Sequence, residues 1–437
     1  MKVVERPYRL PFCLITTLFA LWGFANDITN PMVAAFQTLM ELSAAKAALI
    51  QFAFYGGYAT MAVPAALFIR RYSYKRGILL GLALYAAGAF LVIPAVARQS
   101  FGFFCCSLYV LTFGLAFLET TANPFILSLG SRDSATRRLN LSQAFNPMGS
   151  LAGMAVASMV VLPNLLSDQR DATGQILFHL LPESEKAGIR VHDLAVIREP
   201  YVALGCVVLA MLLVFALVKV PASQPAGNRQ NSFRDSMRNL RHNRLYCEGV
   251  IAQLFYVAAQ IMVWTFIIQY AGSLGISKAT AQNYNILAMC LFLAGRFLST
   301  ALMKFIDGRR LLIIFGIGAA LCSLGTVLVV GKAGLGFLVC ISFFMSLMFP
   351  TIYGTALQDV SPEDTSLGAA FLVMAIVGGA LLPPVQGMVI DCGTILGHPA
   401  VNISYLLPLL CFAVVTIYGI RSKKNETLLS NPVSGRQ

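Results

Sequence analysis

Leu10-Pro-Phe-Cys-Leu-Ile-Thr-Thr-Leu-Phe-Ala-Leu-Trp-Gly-Phe24-Ala-Asn-Asp27 is the first long apolar run of the chain, and it ends on a carboxylate. A second acid, Glu119, stands midway through Phe101-Gly-Phe-Phe-Cys-Cys-Ser-Leu-Tyr-Val-Leu-Thr-Phe-Gly-Leu-Ala-Phe-Leu-Glu119-Thr-Thr-Ala-Asn-Pro-Phe-Ile-Leu-Ser-Leu129. Each run belongs to a segment long enough to cross a hydrocarbon core of about 30 Å, which takes ~20 helical residues. An ionisable side chain at that depth is costly, so it faces a bundle interior and marks a path for substrate, ion or proton. The pair predicts a helical membrane transporter coupled to protons.

Composition supports the same class. The 437 residues are 57% hydrophobic and 12% charged, where soluble domains carry about 25% charged residues, and the mean hydropathy is +0.73. A soluble core of this size would need a charged shell that the chain lacks. Spans are expected at 10–34, 46–69, 77–98, 101–130, 139–163, 200–220, 245–271, 279–303, 310–331, 334–357, 366–391 and 400–420. The fold class expected is an all-α membrane protein, with twelve transmembrane helices in two pseudo-symmetric six-helix bundles. Residues 1–220 form the first bundle, 221–244 a cytoplasmic linker, and 245–437 the second bundle and tail; 164–198 reads as an outer loop. Basic turns recur at matching places, Arg70-Arg-Tyr-Ser-Tyr-Lys-Arg-Gly77 and Lys304-Phe-Ile-Asp-Gly-Arg-Arg310. Paired repeats around a midplane site are the usual build of secondary transporters.

The 32 Lys and Arg outnumber 19 Asp and Glu, for a net charge of +13. With both termini cytoplasmic, 23 basic residues fall inside and eight outside, as the positive-inside rule requires. The charge is therefore topological, and no nucleic-acid partner is expected. Arg296, within span eight, reads first as a side chain snorkelling to the cytoplasmic surface, with a gating role on that side as the alternative.

Enzyme patterns are missing. His179, His192, His242 and His398 fall in loops or at span ends, without a His-Glu-x-x-His or a Cys-x-x-Cys pair to hold metal. No Gly-x-x-x-x-Gly-Lys-Ser/Thr loop offers ATP coupling. The ten Cys read as packing residues, Cys105-Cys106 included. Neither a metal nor a cofactor is expected, and the protein is not expected to be an enzyme.

Of the acids, Asp27 and Glu119 alone lie deep within spans and are the expected proton-coupling residues. Burial in a low dielectric favours the neutral form of a carboxyl, which lets such a group pick up and release a proton. Around them lie amides at helical spacing. Asn26, Asp27 and Asn30 occupy one turn, and Asn140, Gln143 and Asn146 recur every three residues. Span seven adds Gln253, Tyr256, Gln260 and Trp264, and span eight adds Gln282, Asn283 and Tyr284. Amides both donate and accept, which suits the hydroxyls of a neutral sugar; aromatic faces suit its C–H side. Any one amide can equally be an interhelical bond. The expected substrate-binding set is Asn26, Asn30, Gln143, Asn146, Tyr256, Gln260 and Asn283. Gly149-x-x-x-Gly153 and Gly56-Gly57 allow close helix approach.

These residues carry a family resemblance. Phe19-Ala-Leu-Trp-Gly-Phe-Ala-Asn26, Gln51-Phe-Ala-Phe-Tyr-Gly-Gly-Tyr58, Arg71-Tyr-Ser-Tyr-Lys75, Leu118-Glu-Thr-Thr-Ala-Asn-Pro-Phe125 and Arg138-Leu-Asn-Leu-Ser-Gln-Ala-Phe-Asn146 resemble the fucose permease family of the major facilitator superfamily. Ala252-Gln-Leu-Phe-Tyr-Val-Ala-Ala-Gln260, Gly295-Arg-Phe297 and Phe349-Pro-Thr-Ile352 are similar in the second half. The resemblance implies alternating access by a proton-driven carrier of L-fucose or a related hexose, with Glu119 in coupling and Gln143 in sugar recognition. One departure stands out: the family pattern has its span-one acid at the position of Asn30 and an amide at that of Asp27. Here the acid is displaced by three residues on the same face. Another neutral sugar (glucose, galactose or an amino sugar), Na+ coupling, or a non-transporting receptor stay open as alternatives. The expected partners are a neutral sugar, protons and the lipid bilayer. The expected state is a monomer in a bacterial inner membrane, with both termini cytoplasmic.

Overall fold

Inside a bilayer no water satisfies backbone N–H and C=O groups, so long apolar runs close their hydrogen bonds within helices. The computed structural model describes residues 8–41, 44–131, 134–169, 177–218, 232–276, 278–395 and 397–430. Its helices are α1 (Arg9–Leu39), α2 (Ala44–Arg71), α3 (Tyr74–Ala97), α4 (Phe101–Ser128), α5 (Ala135–Gln143), α6 (Phe145–Val156), α7 (Glu183–Leu217), α8 (Phe233–His242) and α9 (Arg244–Ser273). They continue as α10 (Lys278–Leu302), α11 (Gly308–Leu328), α12 (Lys332–Met345), α13 (Met348–Gln358), α14 (Thr365–Met374), α15 (Gly378–Leu381), α16 (Pro383–Asp391), α17 (Ala400–Ile403) and α18 (Leu406–Ser430). Two short strands, β1 (Thr394–Ile395) and β2 (His398–Pro399), pair antiparallel, with Thr394 opposite Pro399.

Among the described residues, eleven segments are long and apolar enough to cross a membrane. They coincide with every expected span but the second, which α2 covers. Three spans are interrupted near proline: between α5 and α6 before Pro147, between α12 and α13 before Pro350, and between α14 and α16 before Pro383-Pro384. Proline has no N–H to give the carbonyl four residues back, so each break leaves acceptors to be met by other groups.

Two stretches expected as loop or linker contain helix. α7 begins at Glu183, and its 35 residues span about 52 Å at ~1.5 Å per residue, well beyond a ~30 Å core. Tertiary bonds hold its charged first turns. Lys186 Nζ donates to Glu41 Oε1 at 2.8 Å, and Arg190 Nε donates to the Leu39 carbonyl at 2.9 Å. The buried Asp193 carboxylate accepts from the Leu166 and Ser167 amides at 2.9 and 2.8 Å. Within the linker, α8 is a helix whose Asn239 donates to Asp364 at 3.0 Å.

The chain forms two compact units. One comprises Cys13–Ala122 with Phe145–Ala222, and the other Met1–Phe12, Asn123–Ala144 and Ser223–Gln437. In the first, here the N-terminal unit, α3 packs on α7 and α2. In the second, the C-terminal unit, α11 packs on α12 and α18, α9 on α10, α13 and α18, and α5 on α10 and α13. Residues 123–144, which lie in the first half of the sequence, thus pack within the C-terminal unit.

Candidate functional site

In the N-terminal unit, glycines bring α1 onto α6. A Cβ on Gly149 would run into the Ala20 carbonyl, and one on Gly23 into the Asn146 carbonyl. One on Gly153 would lie 2.7 Å from the Phe24 carbonyl oxygen. Asn146 Nδ2 closes the pair by donating to the Phe19 carbonyl at 3.2 Å. This contact sets Ser150, one turn beyond Asn146, against Asp27. The Asp27 side chain is buried, and its hydrogen-bonding neighbours are the side chains of Ser150 and the half-buried Asn26. The Asn30 side chain lies outside the described residues, so of the expected group on α1 the structure brings together Asn26 and Asp27.

Glu119 is half-buried on α4. Gly57 lets α2 approach it: an added Cβ there would lie 2.8 Å from the Thr112 side chain. Two tyrosines of α2 follow, the Tyr55 phenol within electrostatic reach of Asp27 and the Tyr58 phenol within reach of Glu119. Tyr58 also adjoins Tyr85, whose hydroxyl donates to the Leu21 carbonyl at 3.0 Å. The two phenols are also within electrostatic reach of each other, which links the surroundings of the two acids. Tyr55 and Tyr58 had no role assigned from sequence, although their i, i+3 spacing beside Gly56-Gly57 marks one helix face.

In the C-terminal unit the polar side chains gather around Arg296. It is 3% exposed, so it does not snorkel to the surface as its sequence position suggested. Its Nε donates to the Ser346 carbonyl at 2.5 Å, and its Nη1 donates to the Gln143 carbonyl at 3.1 Å. Burial of an arginine at this depth requires such partners, since an unpaired charge there is costly. Its guanidinium lies 4.7 Å from the centre of the Phe292 ring, which stands edge-on to Trp264 at 5.1 Å. Gln143 Nε2 donates to Asn123 Oδ1 at 3.0 Å. The Tyr256 hydroxyl donates to the Met345 carbonyl at 3.1 Å, beside the break between α12 and α13. Gln260 is half-buried on α9 and Asn283 is exposed on α10, and no hydrogen bond joins either to this network among the described residues. Nor do three His, Cys, Asp or Glu side chains cluster as a metal site among them.

One buried and one half-buried acid within membrane-spanning segments, with amides on broken helices, are the features of a secondary transporter. The Major Facilitator Superfamily model matches residues 13–384. The chain is 60% identical to the L-fucose-proton symporter of Haemophilus influenzae, over 97% of this chain and 99% of that one. It is 35% identical to the L-fucose-proton symporter of Escherichia coli, over 95% and 93% of the two chains. Its structure superposes on the major facilitator superfamily transporter FucP, crystallised in the outward conformation, with a TM-score of 0.86 and 33% identity, covering 95% of this chain and 99% of that one. The chain belongs to the major facilitator superfamily and, within it, to the fucose permease family.

Proposed function

We propose that this protein imports L-fucose together with protons by alternating access. The observation that carries the reading is the 60% identity, over nearly the whole of both chains, with an L-fucose-proton symporter. The paired acids of the N-terminal unit support it. Asp27 is shielded from water and flanked by groups that stabilise either of its protonation states, a hydroxyl and an amide. Glu119 is half-buried beside a phenol. In this reading Asp27 and Glu119 take protons from the outer face and release them to the cytoplasm. Asn26, Asn30, Gln143, Asn146, Tyr256, Gln260 and Asn283 supply the hydrogen bonds and the aromatic face for the sugar.

The protein works as a monomer in the inner membrane of a bacterium, with both termini cytoplasmic. The purified protein in proteoliposomes tests the reading. An inward proton gradient is expected to drive L-fucose above its external concentration, and a protonophore to abolish the accumulation. Exchange of L-fucose that a pH gradient never drives uphill would remove the proton from the mechanism.

A further inference from the structure

Two carbonyls of the C-terminal unit have lost their helical donors. Pro147 has no N–H for Gln143, four residues earlier, and Pro350 has none for Ser346. One side chain meets both. Arg296 Nε donates to the Ser346 oxygen at 2.5 Å and Nη1 to the Gln143 oxygen at 3.1 Å. The two breaks lie about 200 residues apart in sequence, and a single planar fork spans them. The ammonium of a lysine is a point charge without that fork.

The same Nη1 approaches the Gln143 side-chain oxygen, Oε1, at 3.4 Å. Arginine has donors and no acceptor, so the amide must turn its oxygen toward it. Gln143 Nε2 then faces away and donates to Asn123 Oδ1 at 3.0 Å. That bond fixes the second amide in turn. Asn123 is left with its Nδ2 group fully buried and without a hydrogen-bond partner in the protein. Flipping either amide would set donor against donor. The orientation of the whole row therefore originates at Arg296.

We propose that Arg296 is a positioning residue for sugar recognition, which clasps the two proline-freed carbonyls and turns the amides of Gln143 and Asn123 so that Asn123 Nδ2 donates to an acceptor oxygen of the bound sugar. The inference rests on the sugar-transport reading above. It adds Asn123 to the substrate contacts and explains why an arginine is kept in the interior of a span. A buried donor without an acceptor is costly in the empty protein, and a sugar hydroxyl or ring oxygen relieves that cost on binding.

The test is a double-mutant cycle on L-fucose counterflow in proteoliposomes, with Arg296→Lys, Asn123→Ala and the pair. Each single change is expected to raise KM about tenfold and to leave the maximal rate within about twofold, since binding alone loses its oriented donor. The double variant is expected to match the singles, because both remove the same contact. Three results overturn the proposal: an unchanged KM in Asn123→Ala, a double variant near a hundredfold, or a loss confined to the maximal rate. Should Arg296→Lys fail to fold, Asn123→Ala decides alone, as it leaves both carbonyl contacts of Arg296 in place. A parent that does not exchange L-fucose overturns the substrate reading instead, and the cycle is then read with whichever of D-galactose and D-glucose the parent exchanges. A parent that exchanges none of the three overturns both.

Discussion

Glu119 and Asp27 sit in different surroundings, so the coupling role proposed for each is tested separately. Glu119 is half-buried beside Tyr58, whereas Asp27 is buried among hydrogen-bonding groups. Glu119→Gln keeps the shape and fixes a neutral state. It is expected to abolish pH-driven accumulation of L-fucose and to leave counterflow measurable; accumulation like the parent's would end its coupling role. Asp27→Asn tests whether the displaced acid of span one carries a proton. Positions 27 and 30 lie about 4.5 Å apart along the axis at ~1.5 Å per residue. The single change is expected to stop coupled uptake, and Asp27→Asn with Asn30→Asp to restore part of it. Alkalinisation of the medium per sugar moved, measured in cells expressing Asp27→Asn, decides the matter, since an unchanged ratio leaves the proton to Glu119 alone. Both acids were legible in the sequence because a charge within an apolar run stands out. Arg296 was not, because its partners are backbone carbonyls freed by prolines in other spans. No local pattern around residue 296 announces them.

Where helices meet, small residues decide the outcome. The α1–α6 contact passes through Gly23, Gly149 and Gly153, each against backbone of the facing helix, where a neighbour cannot swing aside. Gly149→Ala is expected to lower stability by about 1–3 kcal/mol through overpacking, read as a fall in the melting temperature of the solubilised protein; an unchanged value would show that α1 can shift without cost. The Gly-x-x-x-Gly spacing marked a close helix approach in the sequence, but not its partner or the part played by Gly23. The extension of α7 was hidden, because its charged turns resemble a loop until their partners are known. Glu41, which faces Lys186, Arg190 and His179 from the α1–α2 turn, holds that extension. Its carboxyl is held below the usual value of 4.5, chiefly by the hydrogen bond from Lys186. A depressed pKa in the folded state contributes stability above the unfolded value that is lost as pH falls through the folded one. Glu41→Gln is thus expected to lower the melting temperature at pH 7 and to narrow its difference from the parent below about pH 4.5. An equal difference at both pH values would show that the ion pairs contribute nothing, as exposed pairs often do.

At the scale of the whole chain, the number of spans and their order could be read from hydropathy, because backbone satisfaction in lipid leaves so few alternatives. The breaks at 144, 346–347 and 375–382 could be foreseen only as prolines, since a proline within a span can kink it or interrupt it, and tertiary partners choose. The grouping of 123–144 with the C-terminal unit is a matter of long-range packing and leaves no periodic trace. Sidedness is set by a different physics, the bias of Lys and Arg in short connections. Twenty-three basic residues lie in segments assigned to the cytoplasm against eight in those assigned outside, a margin that reversal of any one connection would not overturn. Green fluorescent protein fused after residue 430 is therefore expected to fluoresce in cells, and alkaline phosphatase inserted near residue 181 to be active. Phosphatase inserted near residue 225 is expected to be inactive, because that connection holds six of the inner basic residues. An active phosphatase at 225 with a silent one at 181 would invert the orientation, and the direction of transport would then have to be assigned afresh.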